Sequence, residues 1–181
     1  MLVLIVGPSG AGKDTLLNGA RVALDGNAGF RFVRRMITRA PGPAGAEDHD
    51  TVTEQAFTAL QTAGGFALSW RAHGLHYGIP ADINLDLAEG RIVVANVSRT
   101  IVAEAAERFS VHVIEVTAPA NTLARRLAAR GREDAVNVAR RLARQTDLPL
   151  PSPRDTIAND GTEVAGIAKL THALRRLASS G

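Results

Sequence analysis

The stretch Gly7-Pro8-Ser9-Gly10-Ala11-Gly12-Lys13 decides how this chain is read, because of what stands on either side of it. Before it runs Met1-Leu2-Val3-Leu4-Ile5-Val6, an apolar run with the length of a buried strand. After it, Asp14-Thr15-Leu16-Leu17 begins a helical pattern that continues to about Leu24. A G-x-x-x-x-G-K spacing between a strand and a helix is a phosphate-binding loop. Its glycines let backbone N–H groups curl around a phosphate without Cβ clashes, and the helix N-terminus adds partial positive charge. Gly7, Pro8, Ser9, Gly10, Ala11, Gly12, Lys13, Asp14 and Thr15 are therefore the nucleotide-binding candidates. ATP is the expected nucleotide, and Lys13, within reach of its β- and γ-phosphates, is the first catalytic candidate.

Asp14 stands where a Ser or Thr hydroxyl normally meets Mg²⁺, and Thr15 comes one residue later, as in adenylate-kinase-like enzymes. Thr15 is accordingly expected to offer the metal its hydroxyl. Asp14 is either a partner of Mg²⁺ through water or a first-turn acid favoured by the helix dipole. The Ile92 to Val97 segment ends in no acidic residue, so the nucleotide phosphates and water should hold most of the metal's coordination sphere.

Composition narrows the classes. A chain of 181 residues, 45% apolar, can bury one sizeable core, and residues 1–181 are expected to form a single domain. It has no cysteine, which excludes disulfides, thiolate metal sites and thiol regulation, and a reducing, cytoplasmic setting fits. No stretch approaches the ~20 apolar residues of a membrane span. Net charge is +3, and every basic residue except Lys13 and Lys169 is arginine. That bias suits phosphorylated ligands and equally reflects genome composition. Aromatic residues make up 4%, too few for a base-stacking surface, so no nucleic-acid partner is expected. Nothing in the sequence assigns an oligomeric state.

Strand-like and helix-like segments alternate, the pattern of an α/β fold with a mainly parallel sheet. Strands are expected at Leu2 to Val6, Phe30 to Ile37, Ile92 to Val97, Val111 to Val116 and Thr156 to Ala158. Helices are expected near Lys13 to Leu24, Ile83 to Glu89, Thr100 to Arg108, Asn121 to Ala129, Asp134 to Gln145 and Glu163 to Ala178. Residues 38–80 interrupt the alternation with a Pro/Gly-rich loop, a short helix N-capped near Thr53, a short strand and a Gly-rich bend, and read as an insertion. Arg130-Gly131-Arg132-Glu133 is a charged break between two arginine-bearing helices, with the composition of a lid hinge, so residues 125–145 are read as a lid region.

These residues resemble the guanylate kinase family. The Gly7 to Lys13 loop, Thr38-Arg39, Tyr77-Gly78-Ile79-Pro80, Arg130-Gly131-Arg132-Glu133, Arg140-Arg141-Leu142 and Asn159-Asp160-Gly161 occur in that family's order. A narrower set, Ile37-Thr38-Arg39, Glu47-Asp48-His49, Ser69 to Leu75, Asn96-Val97-Ser98-Arg99 and Gly131-Arg132-Glu133, looks like the ribose 1,5-bisphosphate phosphokinases, which use ATP to make 5-phosphoribosyl 1-diphosphate in phosphonate catabolism. Asp14 after the lysine also fits them. The resemblance implies a three-layer P-loop fold with an acceptor-binding insertion and a lid, ATP and Mg²⁺, and a small phosphorylated sugar as acceptor. A guanine site needs a carboxylate for the base's N–H edge, yet the segment before Tyr77-Gly78 reads Ser69-Trp70-Arg71-Ala72 and no acid lies between Arg91 and Glu104. Arginine cannot accept a hydrogen bond.

By the same resemblance, Arg130 and Arg132 are lid arginines over the transferring phosphoryl group and Arg141 reaches in from the next helix, against the alternative of a solvated helix face. Arg125, Arg126 and Arg144 are read as that solvated face. Arg39, Glu47, His49, Arg71, Tyr77 and Arg99 are the acceptor candidates. Tyr77 either donates to a phosphate or packs, and Glu47 with Asp48 either binds sugar hydroxyls or caps loop amides. In a strand Arg34 and Arg35 cannot both face the site. Asn159-Asp160-Gly161 is a turn with a possible adenine contact. Competing readings are a GMP kinase of the same fold and a non-catalytic interaction module, which would not need Lys13 or the lid arginines.

Overall fold

The computed structural model describes residues 1–39, 49–129, 150–151 and 154–179. Its centre is a five-stranded sheet in the order β2-β7-β1-β8-β9. These strands are β1 (Leu2–Val6), β2 (Phe30–Phe32), β7 (Ile92–Asn96), β8 (Val111–Thr117) and β9 (Arg154–Ala158), and every neighbouring pair is parallel. β1 holds the middle because every one of its residues is buried, as a strand covered on both faces requires. Alternate side chains feed two apolar layers. Val3 and Ile5 join Val94, Ile114, Val116 and Ile157 under α1 (Lys13–Ala23) and the last helix, α6 (Glu163–Ser179). Leu2, Leu4 and Val6 join Val93, Ala95 and Val113 on the other face, beside Ile83 of α3 (Ile83–Ala88) and Val102 and Ala105 of α4 (Val102–Arg108). Helices thus lie on both faces of the sheet, the three-layer α/β arrangement expected of this sequence.

The expected strand Phe30 to Ile37 is in fact two. β2 ends at Phe32, Val33 N–H still donates to Val94 O at 2.9 Å, and the chain then leaves the sheet. Its continuation, β3 (Arg35–Ile37), belongs to a second sheet of order β4-β3-β6-β5, with β4 (His49–Thr51), β5 (Phe66–Ala72) and β6 (Leu75–Pro80). The bend read from the glycines is the tip of a β5–β6 hairpin, with His73 at φ 52° and Gly74 at φ 75°, the pair of positive angles a tight hairpin turn needs. α2 (Glu54–Thr62) starts where expected, its N-cap Thr53 hydroxyl accepting from Ala56 N–H at 3.1 Å. α5 (Ala120–Ala129) follows β8 directly. The loop at 40–48, with Glu47 and Asp48, and the expected helix at 134–145 lie outside the described residues, as do Arg130, Arg132 and Arg141.

Leu68 of β5 and Ile79 of β6 are buried in the same apolar layer as Leu2, Leu4 and Val93, so the second sheet shares its core with the first. Among the described residues no helix is long and apolar enough to cross a membrane.

Candidate active site

In open parallel sheets ligands gather outside the carboxyl ends of the strands where strand order reverses, and here that point is the end of β1, between β7 and β8. The loop from Gly7 to Gly12 springs from it. Gly7 takes φ 144° so close to β8 that a Cβ there would lie 2.1 Å from Val116 O. Gly12, at φ 87°, is the residue before the first turn of α1, and a Cβ on it would meet Asn159 Nδ2 at 2.6 Å. Lys13 Nζ donates to Gly7 O at 2.7 Å and to Pro8 O at 3.0 Å, which holds the ammonium over the loop. The loop, the lysine and the helix N-terminus therefore have the arrangement that binds a chain of phosphates.

Two side chains that sequence reading did not assign to this loop brace it from below. Asn159, 5% exposed, donates from Nδ2 to Ala11 O at 2.8 Å, and its own N–H donates to Thr117 O at 2.7 Å. Its side chain is committed to the loop's backbone. Arg126 of α5, read as a solvated residue, is half-buried instead and donates to Gly10 O at 3.4 Å, Ala11 O at 3.5 Å and Asn159 O at 3.2 Å. Its spacing carried the signal: Arg126 lies three residues after Leu123 and one before Leu127, both buried, which puts it on the flank of the helix's inner face.

Beside the loop, Asn96 Nδ2 at the end of β7 donates to Asp14 Oδ1 at 2.6 Å, while Asn96 Oδ1 is buried without a hydrogen-bond partner. Asp14 and Asn96 thus bring carboxylate and amide oxygens, donors of the hard kind that suits Mg²⁺, to the first turn of α1. No group of three or more His, Cys, Asp or Glu side chains converges among the described residues. Asn96 was missed in the sequence; its position at the end of the strand beside β1 was the available signal.

The acceptor candidates separate. Tyr77 and Trp70 stack across the hairpin with ring centroids 5.3 Å apart and planes 8° from parallel. The Arg35 guanidinium lies 5.8 Å from the Tyr77 ring centroid, and Arg35 pairs in register with His49. Arg35 is 8% exposed whereas Arg34 points outward to Asp50 at 3.0 Å, which is the alternation expected of neighbours in a strand. Burial pulls the Arg35 pKa below the usual guanidinium value; the charge of Asp14, then of Tyr77, works against that pull, and Arg39 works with it. Arg35, Arg39, Asp14 and Tyr77 are therefore electrostatic neighbours, and His49 adjoins them. Arg71 is not brought to this group: it pairs with His76, whose ring meets Phe57 of α2, on the opposite face of the hairpin from Tyr77. Arg99, in the turn after β7, forms an ion pair with Glu115 of β8, the two side chains only 11% and 17% exposed. That pair ties the two strands flanking β1 together just beyond the loop.

No family model matches the chain. Curated relatives do. The ribose 1,5-bisphosphate phosphokinase PhnN of Methylobacterium radiotolerans is 49% identical over 175 residues, which cover 96% of this chain and 97% of that protein. Its counterpart in Acidiphilium cryptum is 52% identical over 176 residues, covering 96% and 92%. A bifunctional ribose 1,5-bisphosphokinase-thymidine phosphorylase of Cupriavidus necator is 50% identical over 174 residues, and there the chain spans 28% of the longer protein. Among solved structures, guanylate kinase from Anaplasma phagocytophilum superposes with a TM-score of 0.66 at 15% identity, covering 97% of this chain and 85% of that one, a likeness of fold alone. With relatives of this identity matched along nearly their whole length, and with a phosphate-binding loop at the expected switch point, the chain belongs to the ribose 1,5-bisphosphate phosphokinase family.

Proposed function

We propose that this chain transfers the γ-phosphoryl group of ATP to the C1 phosphate of ribose 1,5-bisphosphate, giving 5-phospho-α-D-ribose 1-diphosphate and ADP in cytoplasmic phosphonate degradation. The observation that carries the reading is its near-full-length identity to phosphokinases of that name. The site's chemistry supports it. One oxygen of the C1 phosphate attacks the γ-phosphorus in line, the bond from that phosphorus to the β,γ-bridging oxygen breaks, and the electron pair leaves on ADP. The nucleophile is already anionic near neutral pH, so positioning and charge neutralisation suffice without a general base.

Lys13 exchanges its contacts with Gly7 O and Pro8 O for β- and γ-phosphate oxygens, and the loop N–H groups cradle the same phosphates. Thr15, and Asp14 directly or through water, would hold Mg²⁺, which neutralises charge on the donor phosphates. Arg130, Arg132 and Arg141 close over the transferred group. Arg39, His49 and Tyr77 face the acceptor and Glu47 takes its hydroxyls, while Arg99, paired with Glu115, and Arg71, on the opposite face of the hairpin from Tyr77, stand apart from that group.

The test is ADP release by the purified chain with ATP and Mg²⁺, offering ribose 1,5-bisphosphate or GMP and identifying the product. A 1-diphosphate product and at least about 100-fold preference for the bisphosphate are expected, an electrostatic discrimination of ~3 kcal/mol. Preference for GMP overturns the reading. Lys13→Ala should abolish turnover with either acceptor; unchanged turnover would remove the loop from the mechanism.

A further inference from the structure

β7 is apolar from Ile92 to Ala95 and ends on Asn96, and all five residues are buried. Asn96 lies level with Ile5 of β1, on the face of the sheet that Ile92 and Val94 pack under α1. An apolar residue would extend that layer. An amide is costly there unless both its polar atoms are bonded, and one is not: Oδ1 is closed off without a hydrogen-bond partner. Turning the amide over brings no relief, because Oδ1 would then face a carboxylate oxygen of Asp14, acceptor against acceptor. Asn96 is therefore held by its other atom, Nδ2, which donates to Asp14 Oδ1 at 2.6 Å, as short as charge-assisted bonds are.

That bond gives Asp14 a fixed place. Asp14 is the second residue of α1, between Lys13 and Thr15, where an acid can bond the helix's free N–H groups. It does not do so here. Among the described residues its carboxylate has one hydrogen bond, the one from Asn96, while Arg35 acts on it through charge. One carboxylate oxygen is thus tied back to β7 and the other carries no hydrogen bond, in a side chain that lines the cleft beside the phosphate-binding loop.

We infer that Asn96 is a positioning residue for the metal: its Nδ2 fixes the carboxylate of Asp14 for the Mg²⁺ that accompanies ATP. This rests on the proposed use of ATP with Mg²⁺ as donor and not on which acceptor is phosphorylated. Outer partners that orient a ligating group contribute about 10- to 100-fold to metal affinity, which sets the size of the effect. The unbonded oxygen is then the cost of placing a donor at the end of an apolar strand.

The deciding experiment is calorimetric binding of ATP to the full chain with Mg²⁺ and with EDTA, the ratio of the two affinities being the gain due to the metal. The wild type gains at least about 10-fold. Asn96→Leu keeps the branched shape and removes the donor and the unbonded oxygen together, so the strand should still form. Its gain from Mg²⁺ falls about 10-fold, while ATP affinity in EDTA stays within about threefold of wild type. Asp14→Ala loses at least as much of the gain. The double variant loses no more than Asp14→Ala alone, as two residues acting through one contact require.

A fall smaller than about fivefold in Asn96→Leu or in Asp14→Ala, losses that add in the double variant, or a wild type indifferent to Mg²⁺ overturns the inference. So does an equal loss with Mg²⁺ and with EDTA in a folded Asn96→Leu, which is what a purely structural role gives. Where Asn96→Leu has no cooperative unfolding transition, Asn96→Ala is read by the same criteria, and a chain that folds with neither substitution overturns the inference too. Turnover separates the two proposals. A wild type whose ATP binding responds to Mg²⁺ but which does not turn over ribose 1,5-bisphosphate refutes the proposed reaction, while binding still decides Asn96.

Discussion

Gly12 shows how little room the nucleotide loop leaves at the level of single residues. Its φ of 87° is strained for any L side chain, and a Cβ would strike the amide of Asn159 that holds Ala11 O. Gly12→Ala should therefore break the brace and distort the loop, costing about 1–3 kcal/mol of stability and at least about 100-fold in kcat/KM. Urea titration and steady-state kinetics on the same preparation check both. Asn159→Ala removes the brace without forcing the backbone. It should cost about 1–3 kcal/mol, since a buried carbonyl is deprived of its best donor, and raise the Kd for ATP more than it lowers kcat with saturating nucleotide. An unchanged Kd would show that the loop holds its shape without Asn159.

Between elements, polar ties do what apolar packing cannot at the sheet's open edge. His112 of β8, Asp155 of β9 and Arg176 of α6 are joined there: His112 Nε2 lies 2.9 Å from Asp155 Oδ2, and Arg176 donates to both Asp155 oxygens at 2.7 and 2.6 Å. Burial pulls the Asp155 pKa upward, but the hydrogen bonds from His112 and Arg176 together outweigh it and hold the carboxyl below its ordinary value. A depressed folded-state pKa contributes stability that is fully present above the unfolded value, about 3.9, and that is lost as pH falls through the lower folded value. Asp155→Asn should thus be less stable than the wild type at pH 6, and the gap should close progressively below about pH 4. Denaturant midpoints measured from pH 6 to pH 2.5 test this. A gap independent of pH would mean that the tie acts through shape alone.

On the scale of the whole molecule, the four-stranded sheet and the parallel sheet are packed as one body through Leu68 and Ile79, both buried among Leu2, Leu4, Val93 and Val113. Removing a methyl-rich side chain from that layer leaves a cavity felt by both sheets. Ile79→Ala should cost about 2–5 kcal/mol and lower the unfolding midpoint seen by far-ultraviolet circular dichroism and by Trp70 fluorescence together. Separate midpoints would show that the second sheet unfolds on its own. Gly78, next along β6, has the converse constraint: a Cβ would meet the Phe66 ring at 2.4 Å, so a larger residue there would have to displace that ring.

Local pattern in the chain determined most of this architecture. The apolar run Leu2–Val6 followed by the glycine loop and Lys13 was enough to place β1, the loop and the start of α1, because strand period, turn residues and helix start are properties of neighbours in sequence. The alternation of strands and helices likewise determined a parallel three-layer fold. Tertiary structure decided what depends on distant segments meeting. It cut Phe30 to Ile37 into strands of two different sheets, since hydrogen-bond partners rather than propensity divide a strand. It turned Arg126 and Asn159, 33 positions apart, onto the backbone of the same loop. And it buried Arg35 rather than Arg34, because the face a strand buries is set by the layer it packs on, which here includes Tyr77 of the β5–β6 hairpin.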